Sequence, residues 1–363
     1  MTRDQVGHGM EYERAIIPRR GVPNTISVII NAGQRERYVS DALRSVNGQT
    51  FSRDLIETVV VSGKHDVLGR IASDEPQTLR VYNPSNFVGS HYASGIEASS
   101  GEIIALLDDD DEFLPTKLQI VSQLFAENSA LDIYHHHRQY MNEQRTSIPA
   151  GYMYPRAERK LGKCMPILLS PPYGRRQLRS LTATDVLFNS SSLVFRRGFV
   201  LPLLSLLSQV ELSVDSFLIM AAIARQRTVL VDGRRLTRYR IHSANVSQVG
   251  VLSGRASAPA HQRRGYEERL QADGEYIRKN LARNSDPDFA RLADALVAVN
   301  GYYCSANFGA KGDQIRWALR ILSRADTFVG RSHWLPALTV FAALPFPHGV
   351  QPLLNSARRL SQG

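Results

Sequence analysis

Five apolar residues, Ile103-Ile104-Ala105-Leu106-Leu107, run directly into four carboxylates, Asp108-Asp109-Asp110-Asp111, and then into Glu112-Phe113-Leu114-Pro115. A short continuous apolar run of this kind reads as a strand buried on both faces, and Pro115 reads as the first position of a helix. Adjacent carboxylates repel one another unless a cation or a metal-bound phosphate shares their site. Asp is a hard oxygen ligand suited to Mn²⁺ or Mg²⁺, and such ions commonly bridge a few protein carboxylates to substrate phosphates. Ligands of open α/β sheets bind where a strand ends and a helix begins. The run is therefore read as a metal and nucleotide site in preference to a solvated acidic face.

The surrounding sequence alternates in the same way. Strands are expected at Ile26 to Ile30, Thr58 to Val61, Leu79 to Tyr82, Glu102 to Leu107 and Leu131 to His135. Helices are expected at Tyr38 to Val46, Tyr92 to Ala98 and Pro115 to Ala126, from apolar residues at helical spacing. Strands alternating with helices predict an α/β fold with a mostly parallel central sheet. From Arg138 to Thr184 the periodicity fades and Pro, Gly, Tyr and Arg accumulate, which predicts a loop-rich functional insert. A strand at Ser191 to Phe195, a helix at Ser213 to Ala224 and two short strands at Thr228 to Val231 and Leu236 to Tyr239 follow. Beyond about residue 255, helical stretches at 263–281, 287–305 and 313–323 predict a C-terminal helical appendage, with Gly312-Asp313 as the turn and cap between the last two. The resulting division is an N-terminal extension over 1–24, a nucleotide-binding domain over 25–250 with its insert at 138–184, and a helical region over 255–363.

Charge sharpens this division. The 363-residue chain carries a net charge of +10, yet residues 1–133 hold 12 Lys and Arg against 19 Asp and Glu, leaving 32 against 15 in the remainder. A basic second half suits an anionic partner: a phosphorylated substrate, an acidic glycan, a membrane surface or nucleic acid. In the insert, Arg156, Arg159, Lys160, Lys163, Arg175, Arg176 and Arg179 either meet an anionic acceptor or are solvated. Two cysteines, Cys164 and Cys304, exclude a disulfide framework or a cysteine metal site and suit a reducing compartment. Met1 to Arg20 lacks a signal-peptide core, and no apolar run reaches the roughly 18 residues of a membrane span. The apolar segment Trp334 to Phe346 is broken by prolines; it either docks on the core or lies on a membrane surface near Arg358 and Arg359.

Three segments in order carry a resemblance. Ser27-Val28-Ile29-Ile30 with Arg35 to Val39 and Ala42 to Val46, then Gly95 through Asp108–Asp111 to Leu118, then Asn189 to Arg197 with Asp215 and Tyr239-Arg240-Ile241-His242-Ser243-Ala244-Asn245-Val246-Ser247, are similar to family 2 glycosyltransferases over about residues 25–247. That family has the GT-A fold, a nucleotide-binding α/β sandwich. The resemblance implies an inverting, divalent-metal-dependent transfer of a sugar from a nucleotide-diphosphate sugar, by family default a UDP-sugar, to an acceptor hydroxyl on a glycan or lipid-linked acceptor. It implies Asp108, Asp110 and His242 as metal ligands, with Asp108 also toward the ribose, Arg240 as a phosphate clamp, and Asp215 as general base. If strand geometry continues past Leu107, Asp109 points away from Asp108 and Asp110, while Asp111 either ligates or caps the following helix.

The chain also departs from the pattern. Asn31-Ala32-Gly33-Gln34 stands where the family usually reads Pro-Thr-Tyr-Asn, Ser62-Gly63 where it has an Asp for the nucleobase, and Val214 where it has the Glu of a Glu-Asp pair. Asn31 and Ser62 are accordingly the expected nucleotide-contacting positions. A second reading is a non-catalytic GT-A-like module that binds glycan or protein. A dinucleotide dehydrogenase or P-loop enzyme is disfavoured because no glycine motif follows an expected strand. Nucleic acid is not expected as a partner, since basic and aromatic residues do not interleave in a recognisable module. His135-His136-His137 is at most a two-ligand arrangement through His135 and His137, because neighbours on a strand face opposite ways. The expected setting is polysaccharide or glycoconjugate synthesis in the cytoplasm, with peripheral contact at the inner face of the membrane through the C-terminal region.

Overall fold

The structure, a computed structural model, describes residues 12–13, 25–33, 36–149, 166–174, 177–178, 189–242, 260–281, 287–308 and 311–322. In chain order its elements are β1 (Tyr12–Glu13), β2 (Ile26–Asn31), α1 (Glu36–Asn47), β3 (Ile56–Ser62), α2 (His65–Asp74), β4 (Leu79–Tyr82), α3 (Val88–Ala98), β5 (Ile103–Asp108), β6 (Glu112–Phe113), α4 (Lys117–Glu127) and β7 (Leu131–Met141). There follow β8 (Ser147–Ile148), β9 (Ile167–Leu169), β10 (Leu193–Arg196), α5 (Val214–Ala224), β11 (Thr228–Arg240), α6 (Ala260–Leu281), α7 (Pro287–Phe308) and α8 (Lys311–Leu322). The basic residues of the insert named above, Cys164, residues 243–259 and the apolar stretch 334–346 lie outside the described residues.

The chain divides into two compact units: Met1–Met141 with Asn189–Val214 and Arg234–Arg240, and Asn142–Phe188 with Asp215–Gly233 and Ile241–Gly363. In the first unit the strands run in the order β1-β4-β3-β2-β5-β10-β7-β11-β6. The pairs β2–β3, β2–β5 and β3–β4 are parallel, whereas β1–β4, β5–β10, β7–β10 and β6–β11 are antiparallel. The parallel pairs join the four strands β4-β3-β2-β5, whose residues Val28 to Ile30, Val59 to Val61 and Ile103 to Leu107 are fully buried. Such strands are covered on both faces, which is why they read as unbroken apolar runs. Each Val, Leu or Ile so buried contributes roughly 1.5–3 kcal/mol.

Helix α3 lies against this parallel core through a residue without a side chain. A Cβ on Gly95 would come within 2.4 Å of Ile29 Cγ2 and 2.8 Å of Val61 Cγ2, so only glycine allows the helix to sit this close. The start of α3 is also sealed: Val88 and Gly89 donate their amides to the carbonyls of Glu211 and Val210 at 3.1 and 3.0 Å. Those donors are consumed by the protein's own backbone and are not open to a phosphate.

In the second unit, the first half of β11 pairs antiparallel with β9, Val229 opposite Leu169. The interior of α5, Phe217 to Ala222, is fully buried. Helices α6, α7 and α8 pack consecutively, burying Ile277, Phe289, Leu292, Val297, Ala318 and Ile321. Among the described residues no helix is long and apolar enough to cross a membrane.

Several local expectations are revised. Helix α2 is an addition to the expected elements, with Val67, Leu68 and Ile71 burying one face of it. The strand expected to end at His135 continues to Met141, because His136, His137 and Arg138 are themselves buried. The two short strands at 228–231 and 236–239 are one strand, β11, running straight through Asp232 and Gly233. Pro115 precedes α4 instead of opening it: its carbonyl accepts the Thr50 amide at 2.8 Å, and the helix starts at Lys117. Gly312 and Asp313 lie inside the first turn of α8, not between helices.

Candidate active site

The chain passes from β2 outward to β3 and β4 and then returns across β2 to β5, so the order reverses between β2 and β5. In sheets of this kind the crevice beyond the strand ends at that reversal is where ligands bind. Asn31, the last residue of β2, is paired in register with Asp108, the last residue of β5. Residues paired in register on parallel strands project to the same face, and both side chains reach α3. Asn31's amide lies 2.8 Å from His91 Nδ1, while Tyr92 donates its hydroxyl to Asp108 Oδ1 at 2.7 Å. Consecutive helix residues thus fasten the ends of the two central strands.

Strand geometry does not continue into the carboxylate run. Asp109 and Asp110 form a turn closed by the Asp111 amide donating to the Asp108 carbonyl at 3.2 Å. Alternation of sides therefore stops at Asp108, and the expected opposition of Asp109 to its neighbours has no basis in this geometry. Asp109, Asp110 and Asp111 are all buried, whereas Asp108 is half-buried.

A turn at Ser190–Ser192, leading into β10, receives the carboxylate run from the other side. Ser190 donates to Asp108 Oδ2 at 2.6 Å, and Ser191 Oγ accepts the Asp108 amide at 3.0 Å. Asn189, in the left-handed region at φ 77°, donates to Asp111 Oδ2 at 3.4 Å. Lys117 lies fully buried beneath, with Nζ 2.7 Å from the Ser191 carbonyl, 3.3 Å from Thr237 Oγ1 and 3.4 Å above the Phe113 ring. Burial pushes the Lys117 pKa well down, opposed by the charge of Asp111. Burial, then the charge of Asp108, pushes the Tyr92 phenol well up, so it remains a donor.

Arg240, the expected phosphate clamp, is engaged by groups of the protein itself. It is fully buried; its amide donates to Asp111 Oδ1 at 3.1 Å, its Nε to the Asp110 carbonyl at 2.9 Å, and its Nη2 to Asp41 Oδ2 and Glu112 Oε1, each at 2.9 Å. A diphosphate would have to displace these partners to be clamped by it. Ser62 is also turned inward: fully buried, it donates to the Ala32 carbonyl at 2.9 Å and accepts the Lys64 amide at 3.2 Å. It ties the loops after β2 and β3 together from a fully buried position. Asn31 is half-buried at the end of its strand.

Asp215 and His242 belong to the second unit. Asp215 stands in the first turn of α5, with Oδ1 accepting the Ser216 amide at 2.7 Å. Burial, then the charges of Asp215 and Glu267, raises the Tyr266 phenol, which identifies α6 as a source of Asp215's neighbours. His242 is buried, directly after β11. Among the described residues no three His, Cys, Asp or Glu side chains form a metal-holding group. The turn at 108–111 nonetheless fits Mn²⁺ or Mg²⁺: its donors are hard oxygens, and such an ion takes one or two protein carboxylates and completes its shell with phosphate and water. The histidines of β7 are buried: His136 shares a hydrogen bond at Nδ1 with the His137 carbonyl, and burial lowers the pKa of both, His137 to about 3.

A four-stranded parallel core with fastened carboxylates at its reversal point defines a nucleotide-binding α/β fold of the GT-A type. Residues 27–199 match the model of glycosyl transferase family 2. An uncharacterized glycosyltransferase of Nostoc sp. is 32% identical over 117 residues, which cover 31% of this chain and 36% of that protein. The match therefore spans little more than a third of that relative's length. S. aureus TarS 1-349 in complex with UDP superposes with a TM-score of 0.52 at 15% identity, over 93% of this chain and 88% of its own. The mannosyltransferase PcManGT from Pyrobaculum calidifontis, in complex with GDP-Man and Mn²⁺, gives a TM-score of 0.52 at 13% identity, over 96% and 87%. These likenesses establish the shared fold.

Proposed function

We propose that this chain transfers a glycosyl group from a nucleoside-diphosphate sugar to an acceptor hydroxyl with inversion, using a divalent ion at the Asp108–Asp111 turn. The observation that carries the reading is that turn itself, fastened at the sheet's reversal point inside the region matching family 2. Asp110 and Asp108 would hold Mn²⁺ or Mg²⁺, and Asp108 also accepts a ribose hydroxyl. When bound, the ion offsets the negative charge that develops on the departing diphosphate. Asp215 acts as general base on the acceptor hydroxyl, whose own pKa is far above neutrality. His242 is assigned to the metal and diphosphate side of the same reaction. The relatives' UDP and GDP-Man support a nucleoside diphosphate as the carrier. The acceptor is a glycan or lipid-linked glycan, and a basic insert suits an anionic one. The setting proposed is polysaccharide or glycoconjugate synthesis in the cytoplasm.

Thermal stabilisation by nucleoside diphosphates, with and without Mn²⁺, tests the donor site directly. A Mn²⁺-dependent shift with one base is expected; the absence of any shift across all bases would favour a glycan- or protein-binding module. Asp215→Asn is expected to keep donor binding and to lose transfer by roughly 10²–10⁴-fold, the usual contribution of a positioned base. Retained transfer would remove Asp215 from the mechanism.

A further inference from the structure

The direction in which a short turn aims its carboxylates is set by its peptide planes, and those planes are set by what holds the backbone. Side chains from outside hold the main chain of the 108–111 turn. Ser191 accepts the amide of Asp108, and Arg240 donates through Nε to the carbonyl of Asp110. The second bond lies on the residue proposed to bind the metal. Arg240 is in turn fixed by several elements: its Nη2 bridges Asp41 of α1 and Glu112 of β6, and its guanidinium carbon sits 4.4 Å from the centre of the Tyr38 ring. Asp41 is further tied to Arg44, and Glu112 Oε2 lies 3.6 Å from Arg238. The Arg240 amide donates to Asp111 Oδ1. One residue therefore joins α1, β6, β11 and two positions of the turn.

We propose that Arg240 is a positioning residue that presets the Asp110 carboxylate for a divalent cation, a role distinct from clamping phosphate. A planar fork is required for it: Nε and Nη2 donate in different directions at once, which a lysine ammonium on a flexible stem cannot reproduce at fixed angles. Without the Nε bond the Asp110 peptide is free to rotate, and the ion meets a carboxylate that must be reoriented as it binds. The inference rests on the functional reading given above, because it takes the turn to be a metal site.

The test uses the full chain and reads metal binding apart from catalysis. Free Mn²⁺ is measured by electron paramagnetic resonance against wild type, Arg240→Lys and Glu112→Gln, each with and without UDP or GDP, alongside a thermal melt. Removing outer partners of a metal ligand typically weakens the metal by 10–100-fold. Arg240→Lys is expected to melt cooperatively, to bind Mn²⁺ about tenfold more weakly, and to bind the nucleotide as before in the absence of metal. Glu112→Gln keeps a neutral acceptor for the guanidinium and is expected to show a smaller loss in the same direction, so it carries the test if Arg240→Lys fails to fold. Unchanged Mn²⁺ affinity in the folded variants would overturn the proposal. Loss of metal-free nucleotide binding would overturn it in favour of a phosphate clamp. Failure of the wild type itself to bind Mn²⁺ or nucleotide would instead overturn the functional reading, and this inference with it.

Discussion

Tyr92→Phe removes one oxygen atom from a fully buried side chain and leaves Asp108 Oδ1 without the hydroxyl that lies 2.7 Å away. A hydrogen bond to a charged group is worth about 1.5–3 kcal/mol, and the half-buried position of Asp108 lets solvent recover part of it, so a loss of about 2 kcal/mol is expected. For a unit of roughly 150–250 residues that corresponds to a fall in melting temperature of about 4–8 °C. The same substitution has a pH signature. The folded phenol is held well above its ordinary value of 10.0 by burial and by Asp108. The unfolded phenol ionises first, so the folded state binds more protons above that value. Wild-type stability therefore falls as pH rises above about 10, and Tyr92→Phe lacks this component of the slope. Because Ser190 holds the other oxygen of the same carboxylate, Ser190→Ala and Tyr92→Phe should not be additive; a coupling of at least about 0.5 kcal/mol is expected. Urea titrations of the four members of this cycle at neutral and alkaline pH supply every number. Additive losses, or a Tyr92→Phe variant with wild-type stability and an unchanged alkaline slope, would refute the view that Asp108 is fastened from both sides.

Other expectations can be measured on the same material. Gly95→Ala gains helix propensity of up to about 1 kcal/mol but overpacks two core methyls, a cost of about 1–3 kcal/mol, so it should destabilise on balance. Gly69→Ala in α2, where an added Cβ meets nothing within 4 Å, should instead stabilise; paired denaturant midpoints decide between the two. His137 has its pKa lowered to about 3 by burial, so the unfolded chain takes up that proton first. Stability from this residue is present above 6.5 and lost as pH falls. Between neutrality and about pH 4.5 the loss is roughly 2–3 kcal/mol, and His137→Gln should show a shallower acid slope. His91 Nε2 lies 2.8 Å from the Ser85 carbonyl, and burial lowers its pKa. A neutral ring must donate there, so Nδ1 accepts from an Asn31 amide turned to present its nitrogen. Nitrogen-15 spectra at neutral pH should show His91 Nδ1 unprotonated, and a protonated Nδ1 would reverse that orientation.

The parallel core was legible because its strands are buried on both faces and so are spelled as apolar runs; the strand at Leu79–Tyr82 was located to the residue. What failed did so where polarity and burial part company. Arg138 reads as the start of the loop-rich insert, and His136 and His137 fall past the expected strand end, yet all three lie inside β7. Asp232-Gly233 carries a strong turn signal and is nevertheless mid-strand in β11. Helix α2 is ten residues long with three buried positions and a glycine at its centre, too little periodicity to announce itself. At the site, the carboxylates themselves stood out, but their partners did not. Tyr92 is 16 residues and Ser190 is 82 residues from Asp108, and nothing local marks either one. The inward turn of Ser62 and Arg240 was invisible for the same reason, since which way a polar side chain faces depends on carboxylates and carbonyls supplied by other elements.

The pairing of Asn31 with His91 and of Asp108 with Tyr92 also bears on how such an enzyme can be altered. Both fastenings come from adjacent positions of one helix, so a one-residue insertion or deletion in α3 would rotate it by about 100° and release both strand ends together. Lys64, Pro84 and Asn86, by contrast, sit exposed on the loops after β3 and β4. A library of variants has its freedom at those loop tips, while the stretch from Val88 to Ala98 must keep its length for the ends of β2 and β5 to stay fastened.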